Sequence, residues 1–239
     1  MAVAALASIP DPFHRTDHLA RPRQVGGLSL APPSIFVPGG RFAISGAWVD
    51  GRPVREAEVR PLRFGLTPVS NAAYAVFLAS GEVAEPPWWR DPDFRDPEQP
   101  VVGVTWFEAV LYCSWLHDTI GGHWRLPTEA EWEHAAAPGP GEADTRPRAL
   151  RPAPLGRGTA NDFGLMDLGS SVHEWCLDWF APDPLQTARR YDPRGPDLGE
   201  RRVRRGGSWR GRGSASWRDG LDPATREADG GFRVVREVP

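Results

Sequence analysis

Proline and glycine break this chain so often that no long regular element can form. The 239 residues hold 26 Pro and 26 Gly, over a fifth of the total, with no period to them. Proline fixes φ and lacks an amide hydrogen, while glycine supplies tight turns, so such a chain is built of loops and short elements. Loops need something to pack against, and 11 Trp supply the aromatic surface. These features argue against a helical bundle. The expected fold class is α+β with low regular secondary structure, two or three short helices and many short strands.

Local signals place the helices. Tyr74, Phe77 and Leu78 share one face, and Ser70 precedes them as an N-cap. Thr105 and Glu108 form a T-x-x-E capping box ahead of the apolar stripe Trp106, Ala109, Val110, Cys113 and Leu116. That helix is expected to stop at Gly121-Gly122. Thr128 and Glu131 repeat the box, and Pro138 limits the helix that follows. Ile35 to Phe42, with Pro38-Gly39-Gly40 inside it, reads as strand, turn and strand. Residues 1–33 read as a weakly ordered N-terminal segment and residues 34–239 as one domain. His14 and His18 sit four apart in the first segment, but flanking prolines and the lack of a third ligand argue against a metal there.

Composition narrows the function classes. No apolar run approaches 18 residues, so no membrane span is expected. Met1 to Ile9 is apolar without a basic flank, unlike a secretory signal. Two Cys cannot make a disulfide framework, and a cytoplasmic protein is the expectation. Cys113 and Cys176 both lie in apolar surroundings and read as inert core residues.

The charge is uneven. The chain has no Lys, and residues 189–236 carry 13 Arg against 7 acids, while the rest carries 15 Arg against 24 acids. Arg201 to Arg212 holds six Arg and no acid. One reading is a solvated rim with ion pairs to the acidic half. The other is a surface for a carboxylate, phosphate or acidic peptide. Nucleic acid is not expected, because the net charge is −3 and no binding motif occurs.

Eight segments in order carry a resemblance. They include Phe36 to Phe42 (F-V-P-G-G-R-F), Arg125 to Glu133 (R-L-P-T-E-A-E-W-E), Gly164 to Asp167 (G-L-M-D), His173-Glu174-Trp175, Arg205 to Trp209 (R-G-G-S-W) and Gly231 to Val234 (G-F-R-V). Over about residues 34–236 the chain resembles the sulfatase-modifying-factor family, which includes the formylglycine-generating enzymes. The resemblance implies a formylglycine-generating-enzyme-like, C-type-lectin-like fold.

It also implies a site. In formylglycine-generating enzymes two Cys follow the G-G-S motif, hold copper and oxidise a substrate Cys. The matching positions here are Gly211 and Ser216, and no Cys occurs after Cys176. Thiolates are what select copper(I), so the resemblance does not bring copper with it. The family's calcium site maps onto the side chains of Asp167 and Glu174 and the carbonyls of Ser170 and Val172. A second branch, the iron-dependent sulfoxide synthases of ergothioneine biosynthesis, takes its iron ligands mainly from a preceding helical domain, which leaves iron open here. The fold also serves as a scaffold for variable binding loops, in the stretch that matches Arg210 to Gly230.

Two functions follow as expectations. One is an accessory module that binds a protein, peptide or small anionic ligand through Trp209, Arg210, Arg212, Trp217 and Arg218. The alternative is a non-haem metal-dependent oxidoreductase with a different metal site or a partner's ligands, for which His173, Asp178, Arg218 and Asp219 are the polar residues available.

Overall fold

The computed structural model describes residues 24–25, 28–44, 48–49, 52–53, 56–136, 149–182, 189–211 and 215–238. His14, His18, Arg212 and Pro138 lie outside the described residues.

Three helices form where their caps predict. Helix α1 (Asn71–Leu78) starts at Ser70, whose side chain accepts from the Ala73 amide. Helix α2 (Trp106–Ile120) carries the full Thr105/Glu108 capping box and ends at Gly121, which has φ +73°. Helix α3 (Glu129–Ala135) carries the Thr128/Glu131 box. Each box satisfies amide hydrogens that the first turn leaves without partners.

In chain order the strands are β1 (Gln24–Val25), β2 (Leu28–Ser29), β3 (Ser34–Val37), β4 (Gly40–Ala43), β5 (Trp48–Val49), β6 (Arg52–Pro53), β7 (Glu56–Val59), β8 (Leu62–Gly65), β9 (Trp124–Arg125), β10 (His173–Trp179), β11 (Arg202–Arg205), β12 (Arg218–Leu221), β13 (Gly230–Gly231) and β14 (Val235–Glu237). One four-stranded sheet has the order β3-β8-β14-β9, so the chain's last strand lies inside the sheet that its early strands begin. The other has the order β12-β11-β10-β13. Its β10–β13 pairing is parallel, with His173 opposite Gly230. The two strands around Pro38-Gly39-Gly40 both form, but not as a hairpin: β3 pairs with β8, and β4 with β7.

The main core is aromatic. Tyr74 stacks on Tyr112 at 5.9 Å, and Phe77 and Phe232 meet Tyr112 edge-on. Trp106, Trp124 and Trp175 complete it, together with Leu116 and Leu126. A smaller cluster joins Trp132, Cys176 and Val203 on the second sheet. Cys113 belongs to the first cluster and Cys176 to the second, and both thiols are unpaired and buried. Among the described residues no helix is long and apolar enough to cross a membrane.

Candidate functional site

The arginine run resolves residue by residue along β11. Arg204 and Arg205 are buried, and each finds carboxylates. Arg204 bonds Asp219 at 2.8 Å and Glu227 at 2.5 Å. Arg205 reaches Glu129 at 3.4 Å and Glu133 at 3.3 Å. Arg202 takes another course: its guanidinium lies between the rings of Trp106 and Trp179, at 3.8 and 3.4 Å from their centroids. Burial lowers its pKa to about 10, because desolvation disfavours the charged form. The run is therefore largely internal ion pairing and cation–π contact.

Arg218 belongs to the same internal network and not to a ligand surface. Its Nε and Nη2 bond Glu129 at 2.6 and 3.0 Å, and its Nη1 bonds the Ala181 carbonyl at 3.1 Å. The pair is mostly buried, and the guanidinium lies over the Phe180 ring. A carboxylate ligand would have to displace Glu129.

The calcium residues are likewise committed elsewhere. Glu174 is fully buried, and its carboxylate accepts from Arg233 Nε at 2.6 Å, Arg233 Nη2 at 2.8 Å and Trp132 Nε1 at 2.8 Å. Asp167 turns its carboxylate to the Gly156 amide at 2.7 Å. Asp167 adopts φ +62°, Ser170 lies in a turn and Val172 is fully buried. This arrangement fits an internal ion pair and a loop clamp, and does not fit a calcium ligand set. Among the described residues no three His, Cys, Asp or Glu side chains gather as metal ligands.

What the fold does assemble is a cluster around Asp229, just below the surface. Ser208 Oγ donates to Asp229 Oδ2 at 2.9 Å. His173 Nε2 and Arg210 Nε each stand 3.9 Å from that same oxygen. His173 donates from Nδ1 to the Gly206 carbonyl at 2.6 Å, which leaves Nε2 the acceptor of a neutral ring. Burial lowers the His173 pKa and keeps the ring neutral. Gly206 makes this geometry: at φ +81° it passes Trp132 so closely that a Cβ would come within 3.0 Å of the ring.

Over the cluster lies an aromatic layer. Trp217 stacks on His173 with centroids 3.9 Å apart. Arg210 lies 4.9 Å over the Trp209 ring, and its side chain is 42 % exposed. Trp209 meets Phe94 at 6.0 Å, and Phe94 meets Trp88 at 6.3 Å. The Trp209 Nε1 hydrogen is buried without a partner. Gly211 and Ser216, the positions of the family's Cys pair, are exposed beside this layer. Sequence spacing brought Trp209, Arg210 and Trp217 together. It did not reveal Phe94, Ser208 or Asp229. The only signals for these were the Ser of R-G-G-S-W and an Asp just before G-F-R-V.

The architecture is α+β with little regular structure, and solved structures share it. PvdO from Pseudomonas aeruginosa matches with a TM-score of 0.70 at 21 % identity, covering 87 % of this chain and 95 % of that one. Treponema denticola variable protein 1 matches with 0.71 at 21 % identity, covering 85 % and 94 %. These likenesses establish the fold. Residues 26–238 match the sulfatase-modifying factor enzyme 1-like domain, and the chain belongs to that family. It is 30 % identical to the formylglycine-generating enzyme of Streptomyces coelicolor, over 87 % of this chain and 86 % of that protein. It is 28 % identical to the hercynine oxygenase of Mycolicibacterium smegmatis, over 91 % of this chain and 64 % of that protein.

Proposed function

We propose that this family member is an accessory binding module that takes a peptide or small anionic ligand on the surface of Trp209, Arg210 and Trp217. The observation that carries the reading is the replacement at the Cys positions. Gly211 and Ser216 stand where copper chemistry needs thiolates, and the two Cys of the chain are buried in separate core clusters. Burial pushes both thiols up, away from the thiolate form. In place of thiolates the surface offers two indole rings and a half-exposed guanidinium, groups that hold ligands by area, stacking and charge.

The experiment is a titration followed by tryptophan fluorescence, with a hexa-aspartate and a hexa-lysine peptide as probes. The acidic peptide should bind, and Arg210→Ala should weaken it at least about tenfold, a loss of ~1.4 kcal/mol. Equal response to both peptides, or none to either, contradicts the reading. The alternative, a non-haem metal-dependent oxidoreductase of the family, has relatives with oxygenase names in its favour. It predicts stoichiometric iron or copper together with oxygen uptake.

A further inference from the structure

A second cavity shares no residue with the Trp209, Arg210 and Trp217 surface. It lies between α3, the end of β10 and the 193–196 loop, with a volume of about 30 Å³. That is room for one or two water-sized groups. Trp179, Pro193 and Pro196 give it apolar walls, and the carboxyls of Glu129, Glu133 and Asp178 line it too.

Two of these carboxyls already have cations. Glu129 is held by Arg218 and Arg205, and Glu133 by Arg205. Asp178 has none among the described residues. It is buried, and its two oxygens accept backbone hydrogens, Oδ1 from Gly195 and Oδ2 from Glu129 at 2.7 Å. Each oxygen keeps a second acceptor position. The charge of Arg202 acts on it, but that guanidinium is clamped between two Trp rings and donates to the Leu177 carbonyl at 2.6 Å. Arg194, the remaining arginine of the lining, sits at the exposed mouth. Burying a carboxylate without a cation is costly, so this cavity favours any ligand that brings one.

We propose that the cavity receives a primary ammonium on an apolar stem, with Asp178 as its anionic seat. The apolar walls would cover the stem while the head group reaches the carboxyl. The chain contains no Lys, so none of its own side chains supplies the ammonium, and the ligand is a free amine or another molecule's lysine side chain. A trimethylated head has no N–H to donate to Asp178. Burial also holds the Asp178 carboxyl up at about 7, the behaviour of a buried acid that lacks a cation.

The test is calorimetric titration of the whole chain with n-butylamine, butyltrimethylammonium and N-butylacetamide at pH 8. Butylamine alone should bind, and Asp178→Asn should weaken it at least about tenfold. Glu133→Gln, which leaves both amide contacts of Asp178 in place, should weaken it severalfold and keeps the test valid if Asp178→Asn does not fold. A Gly-Lys-Gly peptide that binds more tightly than butylamine identifies a lysine side chain as the source. Equal or weaker binding identifies a free amine. Binding of all three compounds alike, binding by Asp178→Asn at wild-type strength, or no butylamine binding at all overturns the proposal.

Discussion

Arg218 bonds inward through Nε, Nη1 and Nη2, so its replacement acts first on stability. Arg218→Ala should lower the unfolding free energy by about 2–4 kcal/mol, since it leaves the mostly buried Glu129 with only its longer contact to Arg205. Arg210→Ala should cost less than that, because its contact to Asp229 is long and its side chain is 42 % exposed, and should act chiefly on ligand binding. Urea denaturation of the two variants checks the contrast. Asp178 gives a second prediction. Its carboxyl is raised from 3.8 to about 7, first by burial and then by the neighbouring charges of Glu129 and Glu131, against the pull of two amide donors. The folded state therefore holds a proton that the unfolded state has lost between these values. Stability from this group is greatest below about pH 4 and falls as pH rises to 7, by about 1.4 kcal/mol for each pH unit across that window. Urea midpoints measured from pH 4 to 8 should show this decline in the wild type and lose it in Asp178→Asn. Burial of this kind was not legible in the sequence. Asp178 sits in an aromatic segment that names its neighbours but not the amides of Gly195 and Glu129 that hold it.

Among the elements, the helices were the most legible. Both T-x-x-E boxes mark their helices because the hydrogen bonds involved span only three residues. Thr105→Ala should cost about 1 kcal/mol. Glu131→Gln should cost more, about 3–5 kcal/mol, because Glu131 also holds buried Arg125 at 2.6 and 2.8 Å. Thermal or chemical denaturation of the pair measures the difference. The strands were legible as segments but not as pairs. Residues 38–40 separate two strands as expected, yet β3 and β4 each pair with a later strand. A sheet is built from partners far apart in sequence, and alternation within one strand does not say which partner it takes. The same distance hid the charge pairing. Arg205 lies 76 residues from Glu129, and Arg233 lies 59 residues from Glu174. The arginine run could therefore be counted, but its partners could not be named.

The whole molecule keeps the family's frame. The motifs R-L-P-T-E-A-E-W, H-E-W and G-F-R-V meet in one buried unit, where Trp132 and Arg233 both donate to the Glu174 carboxylate. That unit explains why motif order alone was enough to expect this α+β fold. The site beside it was only half legible. The aromatic and arginine residues were visible from their closeness to R-G-G-S-W, while Asp229 and His173 reach it from two other strands or their edges. At the exposed positions beside them stand Gly211 and Ser216 instead of thiolates. The proposed binding module would take up a ligand and would not carry out thiolate-copper oxidation. The most direct measurement is metal analysis of the purified chain after incubation with copper(I) and desalting, coupled to oxygen uptake with a cysteine-containing peptide. No stoichiometric copper should be retained, and oxygen should not be consumed. Stoichiometric copper with peptide-dependent oxygen uptake would contradict the proposal.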